Sequence, residues 1–302
     1  AKPSLRLVSG SVAKAMFRFG AFSLMSALGF QLRRNGLTVL LNIIYGNDAS
    51  SASGIATRVG GLMLHVVNLV TAVVLPAMSV NMGANNMAAA RRLIPIASST
   101  VLALGIPIAA TVLTNGRAIL EAWLVREIPE LAILLVQFVV LSLALSLVSL
   151  GHALALTGRG DIGVLTVVKE GLVVAFIALA TFLALRFELP PWWIFAGELA
   201  GVVCAFCLWQ PYWVTRRLRI RSREWARYTV APAGSVLLLS SGIAYVALTL
   251  FPENIIRAAA VGVAAMAVSA VVMWTWSLNS YEKGEVLAIL RRRRQTANAE
   301  IR

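Results

Sequence analysis

Residues 131–156 read LAILLVQFVVLSLALSLVSLGHALAL, a run without a single Asp, Glu, Lys or Arg. A membrane-crossing helix needs about 20 mostly apolar residues to cover roughly 30 Å of hydrocarbon at about 1.5 Å per residue, whereas a membrane strand needs about 9 to 11 of alternating character. The run is too long and too continuous for a barrel strand, and in lipid a helix pairs its own backbone polar groups. Seven further stretches pass the same test: 19–45, 59–82, 96–114, 162–185, 192–214, 230–250 and 256–278. The pattern predicts an all-α fold, a polytopic membrane helix bundle of about eight transmembrane helices. Short turns at Gly46-Asn47-Asp48, Gly158-Arg159-Gly160-Asp161 and Leu189-Pro190-Pro191 leave no room for a soluble domain.

Composition excludes a water-soluble protein. Of 302 residues, 59% are hydrophobic and 13% charged, against about 25% charged in a soluble domain, and the mean hydropathy is +0.81. Lys and Arg number 27 against 13 Asp and Glu, for a net charge of +14. Such an excess in a soluble chain would point to nucleic acid. Here it lies beside membrane spans and carries no recognition motif, so no nucleic-acid partner is expected. Counted on alternating sides of the spans, 19 basic residues fall on one side and 5 on the other, with 3 inside the membrane. The positive-inside rule then places both termini in the cytoplasm. No charged n-region followed by a short apolar stretch and cleavage site precedes the first span. The chain begins at Ala1 directly before that span, which reads as a protein with an N-terminal part before Ala1; removal of an initiator methionine would look the same. Two cysteines, Cys204 and Cys207, make no disulfide framework and read as small packing residues.

Three spans are interrupted by charge: Arg33 and Arg34, Lys169 and Glu170, and Glu198. Each such residue costs a few kcal/mol at the bilayer centre on insertion scales, so a chain that retains it uses it to line a cavity or to pair. In the first span Ser23, Gln31, Arg34, Asn35, Thr38 and Asn42 recur at three- and four-residue steps as a polar stripe. Arg33 lies about 100° away from it. Counting about 1.5 Å per residue, Arg33 and Arg34 sit roughly 21 Å in from Phe19, while His65, Glu198 and Asn68 lie roughly 9 to 13 Å below the opposite face. These residues share one level.

The functional reading is a cationic cavity for a phosphate-bearing substrate. Arg33, Arg34 and Lys169 are its contacts, and Gln31, Asn35, His65, Asn68, Glu170 and Glu198 line or pair with it. The competing reading makes Glu198 the buried structural partner of an arginine and lets Lys169 snorkel to the nearer surface. Glu198 lies within Gly197-Glu198-Leu199-Ala200-Gly201, a spacing that allows close helix contact. His65 and Asn68, three residues apart, suit an interhelical hydrogen bond better than a metal, and no cofactor is expected. Trp192, Trp193, Trp274 and Trp276 read as interface anchors. The 216–227 loop and Arg291 to Arg294 could hold anionic lipid at the cytoplasmic face. No phosphate loop, H-E-x-x-H or nucleophile elbow is present, so the chain reads as a transporter and not an enzyme.

The order of features resembles the multidrug, oligosaccharidyl-lipid and polysaccharide flippase superfamily, in its bacterial O-antigen-type branch. Three stretches carry the resemblance. Arg33-Arg34-Asn35-Gly36-Leu37-Thr38 runs to Tyr45-Gly46 and through Gly54-Ile55-Ala56-Thr57-Arg58-Val59 to Val74-Leu75-Pro76-Ala77-Met78. Met87-Ala88-Ala89-Ala90-Arg91-Arg92 precedes the next helix, and Gly151 to Asp161 resembles the family's helix-ending turn. The resemblance implies a second six-helix lobe over 1–214, two additional transmembrane helices over 215–280 and a basic cytoplasmic tail over 281–302. It further implies alternating-access translocation of an undecaprenyl-pyrophosphate-linked glycan across the bacterial plasma (inner) membrane. The missing N-terminal lobe or a second copy would supply the opposite wall. A multidrug cation exporter of the same fold, or a non-transporting membrane scaffold, is the alternative. The family often carries an acid where this chain has Asn35.

Overall fold

A computed structural model of the chain describes residues 10–124, 128–218, 226–252 and 254–277. Among them there is no strand. The helices are α1 (Gly10–Tyr45), α2 (Asn47–Gly83), α3 (Met87–Leu124), α4 (Glu130–Leu147), α5 (Leu150–Arg159), α6 (Gly163–Phe187), α7 (Trp192–Val202), α8 (Gln210–Leu218), α9 (Ala231–Leu250) and α10 (Ile255–Val272). A π-helical segment, Val203–Trp209, joins α7 to α8, and shorter ones, Ala226–Val230 and Met273–Ser277, flank the last two helices. The 281–302 tail, with Arg291 to Arg294, lies outside the described residues, as do Arg219, Arg221 and Arg223 of the basic loop.

Among the described residues, seven helices are long and apolar enough to cross a membrane: α2, α3, α4, α6, the stretch Trp192–Leu218, α9, and Ile255–Thr275. The chain is an all-α, multi-pass membrane helix bundle. The first expected span lies in α1, whose 36 residues exceed a crossing and carry Lys14, Arg18, Arg33 and Arg34, and which is not among that apolar set. Exposed Leu, Val and Phe side chains cover the outside, among them Leu69, Val73, Phe182 and Leu238, which is the surface lipid requires.

Three helices outrun the hydropathy that announced them, the first being α1, which begins at Gly10 and not at 19. α2 and α3 begin at Asn47 and Met87, well before the expected starts at 59 and 96. In α2 the reason is packing: Ala49, Ala52, Ser53, Ala56 and Gly60 are buried at three- and four-residue steps. A Cβ on Gly60 would lie 2.7 Å from Val139 Cγ1 of α4, so the small residues set the distance between these two helices. α1 and α2 are therefore joined by Gly46 alone, at φ 83, a left-handed conformation that glycine adopts without steric cost. Gly160, at φ 76, ends α5 in the same way and takes its amide to the Thr157 carbonyl.

The 131–156 run is two helices, not one. α4 stops at Leu147 and α5 starts at Leu150, with Ser149 at φ −106, ψ 12 between them. Backbone groups at this break are also held by residues far away in the chain. Ser98 Oγ accepts from the Gly151 amide at 2.9 Å, and Gln210 Nε2 donates to the Ser149 carbonyl at 2.8 Å. α5 lies so close to α3 that a Cβ on Gly151 would be 2.0 Å from the Ile94 carbonyl oxygen.

α4 packs on α2, α3 and α7, while α1 lies between α2 and α6. Leu41, Ala56, Val101, Leu135, Val136, Ile194 and Phe195 form the centre of the core and are essentially inaccessible. α9 and α10 pack on each other and chiefly on α3. There Arg257 Nε donates to Asn115 Oδ1 at 2.7 Å, both residues buried, at the one non-helical position inside α3.

Candidate functional site

Arg33 and Arg34 are neighbours in sequence and part company in space. Their directions differ by about 100° around α1, which sends Arg33 toward α6 and α7 and Arg34 toward α2. Arg33 is 8% exposed, and its Nε lies 3.4 Å from Glu198 Oε1. Glu198 can reach it because α7 sits tightly on α6. A Cβ on Gly197 would be 2.3 Å from Ala180 Cβ, and one on Gly201 would be 2.8 Å from Val173 Cα. The guanidinium is also 5.4 Å from the Phe30 ring and 5.9 Å from that of Phe206, within reach of cation–π attraction.

Lys169 joins the same cluster from α6. Its Nζ is 3.1 Å from Glu170 Oε1 and 5.0 Å from the Phe206 ring, and both side chains of the pair are mostly buried. Gly29 makes room for Glu170, since a Cβ there would meet Glu170 Cγ at 3.1 Å. Phe206 thus lies between two ion pairs, and it stands in the π-helical segment Val203–Trp209, a rare element that recurs at functional sites. Two cations and two carboxylates leave the cluster without net charge. Cys204 and Cys207 of the same segment are half-buried free thiols, and Cys207 Sγ donates to the Leu145 carbonyl at 3.5 Å.

Arg34 has no carboxylate partner among the described residues. Its Nη2 donates to the Thr57 carbonyl and lies over Gly61, where a Cβ would come within 2.8 Å of that nitrogen. Close by, Thr38 Oγ1 and Ser53 Oγ share a hydrogen bond of 2.8 Å that closes α1 on α2. A cavity of about 30 Å³ between α1, α2, α4 and α7 is lined by Arg33, Arg34, Ser142 and Glu198 among others. That is room for about two waters and not for a phosphorylated glycan.

The remaining polar residues face outward. Gln31, Asn35 and Asn42 of α1 are exposed, and Asn35 Nδ2 donates to Gln31 Oε1 at 3.3 Å. They lie on the edge of the exposed arc nearest α2, because Arg34 and Thr38, which touch α2, are the adjoining stripe. On α2, Arg58, His65 and Asn68 are exposed, on the side next to Thr57 and Gly61, which meet Arg34. The two helices therefore share an open polar seam. His65 and Asn68 belong to it and to no metal cluster among the described residues.

Arg58 stands immediately before the span expected to begin at 59 and so counted among the five basic residues on the far side of the membrane. In the folded chain it is the twelfth residue of α2, and counted from the Gly46 turn it stands level with Arg34 and Asn35. No carboxylate pairs it among the described residues. Equal counting on the two sides of Gly46 is the signal that would have found it. Trp192 and Trp193, expected as interface anchors, are half-buried against the core, with Trp192 stacked on Phe138 at 6.2 Å.

The fold and site define a multi-pass membrane helix bundle with a neutralised internal cluster and a cationic outer seam. Comparison with known protein families, curated proteins and solved structures yields no match.

Proposed function

We propose that this chain forms one wall of a transport pathway for an anionic, lipid-linked glycan, with the α1–α2 seam as the surface that the cargo passes. The observation that carries this reading is the pair Arg34 and Arg58, two cations level with one another on an open seam and unpaired by any described carboxylate. Gln31 and Asn35 lie beside them, and Asn42, His65 and Asn68 lie further along the same seam. Exposed polar side chains on helices of this length are costly against lipid and stable against water or another protein surface. A second wall accordingly faces the seam, supplied by an N-terminal lobe or by a second copy. Guanidinium groups suit a pyrophosphate because each presents paired donors to phosphate oxygens. The cargo class that fits is an undecaprenyl-pyrophosphate-linked oligosaccharide. It would move across the bacterial inner membrane by alternating access, its lipid tail remaining in the bilayer. An exporter of organic cations would require the opposite sign of charge on the seam.

The Arg33–Glu198 and Lys169–Glu170 pairs take a different role in this reading. Arg33–Glu198 braces α1 against α7, and the Lys169–Glu170 pair of α6 packs against α1 at Gly29, both behind the seam. The test is to change Arg34→Gln and Arg58→Gln together in the natural gene and to measure surface glycan alongside the amount of membrane-inserted protein. The expected result is loss of export at normal protein levels; unchanged export would remove the cationic seam as the pathway.

A further inference from the structure

The last turns of the Trp192–Leu218 span carry a second arrangement that the transport reading does not use. A groove of about 520 Å³ runs along the outside of the π-helical segment and α8, with Cys204, Cys207 and Leu208 at one end and Tyr212 and Thr215 at the other. Cys204, Leu208, Tyr212 and Arg216 follow at four-residue steps, so one stripe of the helix passes from apolar to aromatic to cationic. Leu208 is 63% exposed and Tyr212 55% exposed, and nothing among the described residues covers them.

Arg216 closes this stripe. Its guanidinium lies 4.4 Å from the centre of the Tyr212 ring, and no carboxylate pairs it among the described residues. The neighbouring Arg217 is committed elsewhere, with Nε 2.7 Å from Asp161 Oδ2 and the guanidinium over Trp213. Two adjacent arginines are thus divided between a structural ion pair and an open position at the end of an apolar groove. The order along the stripe matches a phospholipid lying against a membrane-spanning helix: chain beside the apolar wall, glycerol region beside the aromatic ring, phosphate beside the cation.

We propose that this groove binds an anionic phospholipid, with an acyl chain along Cys204, Cys207 and Leu208 and the phosphate on Arg216. The site is independent of the α1–α2 seam. One exposed basic residue at an anionic membrane surface contributes about 1 kcal/mol, which corresponds to about five-fold in affinity.

The test uses the purified full chain titrated with phosphatidylglycerol or phosphatidylcholine in detergent, with bound lipid counted by native mass spectrometry. The expected result is preferential retention of phosphatidylglycerol, reduced about five-fold by Arg216→Gln, with phosphatidylcholine, whose phosphate is offset by its own choline cation, reduced less. Filling the groove with Cys207→Trp should lower retention of both lipids. Arg186→Gln, which removes another exposed arginine beside an aromatic ring, Phe187, is the control and should change nothing. Equal retention of the two lipids by the wild-type chain would overturn the proposal. So would an Arg216→Gln chain that holds phosphatidylglycerol as before, or an Arg186→Gln chain that loses as much as Arg216→Gln does.

Discussion

Removing one member of the Arg33–Glu198 pair should cost far more stability than removing both. At 3.4 Å the two charges attract by about 5 kcal/mol at an effective dielectric of about 20. Both side chains have lost most of their water, at 7% and 10% side-chain exposure. Glu198→Leu leaves a buried guanidinium without its counter-charge, a change that typically costs about 3 to 5 kcal/mol. Phe30 and Phe206 lie within cation–π reach of Arg33 in parent and variant alike, so they do not offset this loss, and we expect about 3 to 5 kcal/mol. Arg33→Leu should cost a similar amount by stranding the carboxylate. The double change Arg33→Leu with Glu198→Leu strands nothing and should fall within about 1 kcal/mol of the parent. Reversible unfolding in mixed micelles by detergent titration, followed by circular dichroism, would measure all three and give the coupling energy. Additive losses, or single changes within about 0.5 kcal/mol of the parent, would refute the pairing as a source of stability. The double variant also separates structure from transport. Normal glycan export by it fits a bracing role, and lost export at normal stability would return Arg33 to the cargo.

Other outcomes follow from the packing. Gly151→Ala drives a methyl against the Ile94 carbonyl, 2.0 Å away in the present backbone, and should destabilise by at least about 3 kcal/mol in the same unfolding assay. Gly61→Ala meets the mobile end of Arg34 and not backbone, so stability should change by less than about 1 kcal/mol while glycan export falls because Arg34 is displaced. Asn115→Ala removes the acceptor of a buried arginine hydrogen bond and should cost about 1.5 to 3 kcal/mol, with faster proteolysis between α9 and α10 than between α6 and α7.

The helical bundle was readable in the chain because lipid imposes one simple demand, an uninterrupted apolar run of sufficient length. What went unread depends on partners distant in sequence. The break at Val148 and Ser149 lies inside a run with no proline and with only Gly151, already inside the second helix, to announce it, and it is held by Ser98 and Gln210. The first turns of α2 looked like a connection because Asn47 to Ser53 are polar or small, yet small residues let helices approach closely. Depth counting put Arg33 and Glu198 at one level, and the structure pairs them. Depth counting did not link Lys169 with Arg33; they meet through Phe206, in a π-helical segment that no residue pattern marks. Arg58 was lost to a span boundary drawn from hydropathy alone.

The central claim is that the α1–α2 seam faces water, and cysteine accessibility addresses it directly. In a background with Cys204→Ala and Cys207→Ala, single cysteines would replace Asn35, His65 and Asn68 on the seam. Others would replace Leu32, Val39 and Val73, which are 69%, 58% and 76% exposed on the apolar side. The measurement is the rate of labelling by a membrane-impermeant thiol reagent in intact cells or vesicles. The account predicts that positions 35, 65 and 68 react at least about ten-fold faster than 32, 39 and 73, since only thiolate in contact with water is reactive. Equal and slow labelling of both sets would mean that the seam lies against lipid or packed protein, and would contradict it.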